Sequence, residues 1–317
     1  MWLCVHPNRT PILPHPLYIS LNLWYNSAMN RRLLERLILW IVLVVAFWAI
    51  FSLVPLDQPL LFYDWRVFFA NVETAPGHYV PWSRYVTQCL TLPLLLALTV
   101  ASFAVSTVNQ AKSPISAACA FLCLPLSWTL FLGQLEGIAL LGLLGMPYLL
   151  PLALVKPQLT LFAAFAKRWW LVALLIVGVA TALIWGNWVI ATLRWQYQGS
   201  GADWPQDIGL GLWGLPLFAL IVWKMPREDP YWWMLAGTFV TPRLIPYNLL
   251  PLIPVVARLP WPWALGVALT SWLPLAANWL GPCGWWLTWV SILVLGVGLG
   301  LQATTPRSLF RLPIHTE

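Results

Sequence analysis

Residues 37–54 read LILWIVLVVAFWAIFSLV, eighteen positions without a charge, and apolar runs of this kind recur as far as residue 302. No other feature constrains the fold so strongly. A crossing of the hydrocarbon layer takes about 20 predominantly apolar residues. Within that layer every backbone N–H and C=O must find its partner inside the chain, which for such runs means helix. The stretches 33–54, 86–108, 115–132, 171–190, 260–280 and 284–302 read as spans, and 209–223 as a short one. Two further regions, 134–166 and 231–257, are interrupted by MPYLLPLALVKPQ and TPRLIPYNLLPLIP. Each reads as two half-length helices meeting at a proline-containing break. The expected fold is all-α: a polytopic integral membrane protein of about 9–12 transmembrane or half-membrane helices, with two broken helix pairs.

Composition narrows the class. Only 9% of the residues are charged and 60% are hydrophobic, against about 25% charged in soluble domains. The apolar runs leave no room for a separate aqueous domain, so residues 29–317 read as one membrane domain. Residues 1–28, proline-rich and without clean periodicity, read as an unstructured upstream extension, with Met29 as the natural start. The 24 Trp and 28 Pro suit a membrane protein, where Trp favours the interface and Pro is tolerated in helices. A net charge of +7 comes without a basic run or an aromatic-interleaved motif, which argues against nucleic acid as a partner. Cys4, Cys89, Cys119, Cys123 and Cys283 form no CxxC or other metal spacing, His6, His15, His78 and His315 are scattered, and there is no DxD pair. No metal or other cofactor is expected.

The positive charges serve better as a topology signal. With a cytoplasmic N-terminus, Arg9, Arg31, Arg32, Arg36, Lys112, Lys167, Arg168, Lys224, Arg227, Arg258, Arg307 and Arg311 all fall inside, twelve of the 17 Lys and Arg. The reading is a multi-pass plasma-membrane protein with both termini cytoplasmic. The remaining Arg66, Arg84, Lys156, Arg194 and Arg243 then gather outside or at the breaks with Asp57, Asp64, Glu73, Glu136, Asp203 and Asp207; a continuous span over 135–155 would instead put Lys156 on the inner side. Both signs beside two broken helices describe a polar cavity opening outward. Its densest piece is FYDWRVFFANVETAPGHYVPWSRY, residues 62–85.

Three segments in order resemble glycosyltransferase family 87, polytopic enzymes of the GT-C fold. DWRVFFA followed by HYVPW is similar to the acidic loop after the family's first span. LGQLEGIALLGLL resembles its Gly-Gln helix start, with LALVKPQLTLF and KRWW like its Leu-Lys-Pro segment and the basic-aromatic turn beyond. TPRLIPYNLLPLIP looks like its late Pro-aromatic motif. The chain departs from the pattern at Glu136, where a small polar residue is usual, and at Asn248, where Asp is common.

The resemblance implies an inverting transfer of a hexose, often mannose, from a polyprenyl-phosphate donor to a lipid or glycan hydroxyl on the extracytoplasmic face. Such a transfer needs a general base, for which Asp64 is the candidate, and cations to receive the phosphate's charge. Arg243 and Lys156 come first for that role, with Arg66 and Arg194 behind them. Gln134, Glu136, His78, Tyr79, Tyr247 and Asn248 are candidates for sugar or acceptor contacts. Plain alternatives stand beside these roles: an ordinary loop acid for Asp64, and a structural ion pair with Glu136 or Asp207 for each cation. A transporter or lipid flippase using the same cavity is the rival function, although the chain shows no internal repeat. A structural subunit of a membrane complex is the third reading.

Overall fold

The structure is a computed structural model that describes residues 15–55, 61–69, 79–198 and 205–304. The chain divides into two units, Met1–Val42 and Leu43–Glu317. The described part of the first is the opening stretch of α1 (His15–Leu53). This helix starts at His15 and so takes in residues 15–28 of the stretch read as an upstream extension; residues 1–14 lie outside the described residues.

The regular structure of the described residues is all helical, without strands. After a π-helical turn at Trp65–Phe69 come α2 (Ser83–Gln88), α3 (Leu92–Gln110), α4 (Pro114–Phe121), α5 (Leu124–Leu132), α6 (Glu136–Leu144), α7 (Leu150–Ala153) and α8 (Pro157–Ala163). The chain continues through α9 (Arg168–Trp185), α10 (Trp188–Gln198), α11 (Leu215–Lys224), α12 (Pro230–Val240), α13 (Trp261–Thr270), α14 (Ala277–Leu280) and α15 (Thr288–Thr304). Four stretches among the described residues are long and apolar enough to cross a membrane: Leu34–Leu53, Leu92–Gln110, Arg168–Trp185 and Trp261–Ala303. The outer face of α9 exposes Leu175, Ile176, Val179 and Leu183, apolar surface of a kind that suits lipid and not water.

Two expectations need correction. Residues 115–132 are not one straight span but α4 and α5, bent by 40°. Cys123 turns to an extended backbone directly before the Leu124–Pro125 start of α5, because Pro125 lacks the N–H that would continue α4. The break after α12 does not lead into a second half-helix. It gives two 3-10 turns, Pro246–Leu249 and Ile253–Arg258, with Pro246 and Pro254 at their starts. Region 134–166 is broken as expected, but into three pieces: α6, α7 and α8.

Within the second unit α3 is central, with 67% of its apolar window buried. In a bilayer, helices gain little from excluding lipid, so close packing must hold them together, and small residues allow it. Gly137 of α6 lies so close to α3 that a Cβ there would sit 2.0 Å from the Thr99 hydroxyl. The core beneath includes Phe103, Leu126, Leu140, Met234, Leu250 and Val256. Two helices run between the same two ends of this unit. The start of α3 and the end of α12 lie toward the polar cavity described next, and their other ends meet at Gln110, Arg258 and Asp229.

Candidate functional site

Asp64 is placed by an unusual backbone. Phe62 has φ +58, a left-handed conformation that a bulky residue rarely adopts. Its N–H donates to the Phe131 carbonyl at 2.7 Å, which ties residues 61–69 to the last turn of α5. That helix ends on Gly133, φ +70 and ψ +47, where a Cβ would lie 2.8 Å from the Trp65 Cβ. Only glycine fits both the left-handed cap and the contact. The tight turn delivers Gln134 to Asp64, and Gln134 Nε2 donates to Asp64 Oδ2. Burial pushes the Asp64 carboxyl above the ordinary carboxylate range, while the Gln134 N–H and the Lys156 ammonium pull it partway back.

The second cluster joins the broken segments. Lys156 precedes Pro157 with φ −129 and ψ 83, outside the helical region that sterics before proline disfavour, and it sits at the N-terminus of α8. A cation is poorly placed at a helix start, and Glu136 offsets this: Lys156 Nζ lies 3.2 Å from Glu136 Oε1. Asn248 Nδ2 donates to the same oxygen at 2.8 Å, and Asn248 Oδ1 accepts from the Ile245 N–H at 2.9 Å. The ammonium also lies 4.8 Å from the centre of the Tyr79 ring and 5.3 Å from that of Tyr247, within cation–π range. Burial holds the Tyr79 phenol up at about 12, so it keeps its proton near neutral pH.

Arg243 pairs with the other expected acid. Its Nε lies 3.6 Å from Asp207 Oδ2. Asp207 Oδ1 accepts from the N–H groups of Gly209 and Leu244, each at 2.9 Å, and the Ile208 N–H donates to the Leu244 carbonyl at 2.8 Å. Asp207 therefore fixes both the side chain and the backbone of the TPRLIPY segment.

Asp64, Tyr79, Gln134, Lys156, Arg243, Tyr247 and Asn248 line one cavity, joined by Phe68, Gln158 and Ile245. The polar breaks and the loop after α1 thus converge. Gln158 was not singled out in the sequence; its signal was its place in VKPQ, two residues after Lys156. Three other candidates fall elsewhere. Glu136 lies behind the cavity wall, holding Lys156 and Asn248. Arg66 donates to the Leu61 carbonyl and does not line the cavity. Arg194 is exposed on α10, away from the cavity lining. His78, Asp57, Glu73 and Asp203 lie outside the described residues. Among those residues no group of three His, Cys, Asp or Glu side chains could hold a metal.

The cavity is small, about 30 Å³, room for a water or two and not for a hexose. Its buried acceptors Gln134 Oε1 and Gln158 Oε1 have no protein partner among the described residues. Alongside it runs an apolar groove of about 420 Å³ lined by Leu124, Trp128, Phe131, Leu132, Trp272 and Leu275, with Ser127 and Gln206 at its edge. Groove and cavity are joined along the chain at Leu132, two residues from Gln134, while Gln206 adjoins Asp207, the ion-pair partner of the cavity residue Arg243. No protein-family model, curated protein or solved structure matches this chain.

Proposed function

We propose that the protein is a membrane glycosyltransferase of the GT-C kind, moving a hexose, with mannose the first candidate, from a polyprenyl phosphate to a hydroxyl on the extracytoplasmic face. One observation carries the reading: a buried carboxylate, Asp64, shares a cavity with two buried cations, Lys156 and Arg243, beside an apolar groove. In the reaction the acceptor oxygen attacks the anomeric carbon and its proton passes to Asp64. The bond from that carbon to the phosphate oxygen breaks, and the electron pair leaves with the polyprenyl phosphate, inverting the centre. Both cations already hold carboxylates in this state, so the arriving phosphate competes with Glu136 and Asp207 for them. Gln134 Oε1 and Gln158 Oε1 suit sugar hydroxyls, which can donate to them. The closed cavity must widen before a sugar enters.

Purified protein supplied with labelled polyprenyl-phosphate hexoses and lipid acceptors tests the reading. Asp64→Asn keeps the shape of the side chain but cannot take a proton. It should bind donor normally and lose transfer by roughly 10²–10⁴-fold, the usual worth of a general base. Full transfer by Asp64→Asn would refute the assignment of the base.

A lipid transporter or flippase is the second reading. The observation in its favour is that α12 runs from the Asp229–Arg258 cluster to the polar cavity at Arg243, with polar groups at both ends, as a gated path would have. Donor movement across vesicles without sugar transfer would decide for it.

A further inference from the structure

The far ends of α3 and α12 hold a second polar cluster that the reaction does not use. Arg258 donates to Asp229 and Gln110, its guanidinium lies 4.8 Å from the Tyr231 ring centre, and the Tyr231 hydroxyl lies 3.1 Å from Ser106 Oγ. Gln302 Nε2 donates to the Arg258 carbonyl. This clasp is neutral within itself, one guanidinium against one carboxylate. The chain around it is not. The Lys112 N–H donates to Ala257 O at 3.0 Å, and the Trp233 indole donates to Arg227 O at 2.8 Å. The Phe165 and Trp233 rings lie 5.5 Å apart, which brings the start of α9 to the same end. Lys112, Lys167, Arg168, Lys224 and Arg227 are all exposed here, with Glu228 the one exposed carboxylate of these segments.

Aromatic side chains accompany the cations. Lys167 Nζ lies 4.8 Å from the Trp170 ring centre and Lys224 Nζ 4.5 Å from that of Trp223, while Trp169 and Trp223 are 78% and 73% exposed. A lysine laid along an indole keeps its stem on apolar surface and its charge in the polar layer, the arrangement of a hydrocarbon–headgroup boundary. The cations stand on separate segment ends around the clasp and do not converge on a pocket. A small soluble anion would need convergence; a sheet of phosphodiesters would not. Partial desolvation, and after it the neighbouring Arg258, disfavour the charge on Lys112.

We propose that this end of the protein is a docking rim for the headgroups of anionic phospholipids. The rim is independent of the reading of the Asp64 cavity and would hold equally for a transporter.

The test uses the full chain in nanodiscs of phosphatidylcholine, alone or mixed with phosphatidylglycerol. The lipids retained are counted by native mass spectrometry, and thermal stability is followed by Trp fluorescence. Phosphatidylglycerol should be retained preferentially, and the preference should weaken as salt is raised. A juxtamembrane cation contributes about fivefold at an anionic surface. The combined Lys112→Gln, Lys167→Gln, Lys224→Gln and Arg227→Gln variant should therefore lose the preference by about 100-fold or more, while Lys→Arg changes at the same lysines keep it. Equal retention of both lipids would overturn the proposal, as would a preference indifferent to salt. Equal stabilisation by inorganic phosphate in phosphatidylcholine discs would assign the rim to a soluble anion instead.

Discussion

Removing one partner of the Lys156–Glu136 pair should unfold the protein more readily than removing both. Both side chains are buried, at 5% and 1% exposure, with Nζ and Oε1 3.2 Å apart. At that distance and an effective dielectric of about 20, the attraction is about 5 kcal/mol. Most of this offsets desolvation, so the measurable effect is that of stranding a charge. Breaking a buried pair costs about 3–5 kcal/mol, and a lone charge at membrane depth about 2.5–3.5 kcal/mol on insertion scales. The two converge near 3 kcal/mol, a shift of roughly 100-fold in the unfolding equilibrium. Lys156→Met strands Glu136, whose Oε2 already lacks a partner among the described residues. Glu136→Gln strands Lys156, although the amide oxygen can still accept from Asn248. The double variant strands neither charge and should recover about 2 kcal/mol or more relative to the sum of the singles. Reversible unfolding in mixed detergent–SDS micelles, followed by Trp fluorescence, measures all four proteins. Additivity within about 0.5 kcal/mol would show that the pair is not coupled and would remove the account of how Lys156 is held.

The acid limb of transfer should lie above the range of an exposed Asp, about 4, because Asp64 must be ionised to accept a proton and burial raises its titration. Gln134→Ala removes a bond that favours the ionised form, so the limb should move higher still; a downward move in the pH profile would contradict this. Gly133→Ala should cost about 1–2 kcal/mol for the left-handed backbone alone, plus the clash with Trp65, and should reduce turnover by separating Gln134 from Asp64; wild-type stability and turnover would count against the role of the turn. In intact cells an impermeant thiol reagent should label Arg84→Cys and spare Lys112→Cys, both positions being exposed; the reverse pattern would put the cavity on the cytoplasmic side.

Much of the site could be read from scarcity. In so apolar a chain a buried charge must find a partner or a function, which is why Asp64, Gln134, Lys156, Arg243, Tyr247 and Asn248, far apart in sequence, meet at one cavity. The broken regions were visible because proline removes a donor wherever it falls. The choice of ion-pair partners was not legible: Glu136 and Asp207 were equally plausible for Lys156 and Arg243, and only packing decides between them. Arg66 and Arg194 looked like phosphate ligands because charge is countable in a sequence and direction is not. The bend between α4 and α5 was hidden because hydropathy is continuous across it, and Pro125 acts through geometry. Glu136 departs from the pattern of the motif that contains it, and the start of α6 turns it behind the wall that it was expected to line.

The cavity beside Asp64 has room for a water or two, which has a chemical consequence for the proposed reaction. Water is itself an acceptor, and a base that activates a lipid hydroxyl will also activate water placed in the same spot. If the donor arrived first, the resting occupants would be the nearest nucleophiles, and the sugar would be lost to futile hydrolysis. Closing a site protects reactive groups only once water has been expelled. The small cavity therefore favours an order of events: the acceptor's hydroxyl displaces the water, and the widening that admits the sugar follows. Slow release of free hexose when donor is supplied without acceptor would be the trace of that competition.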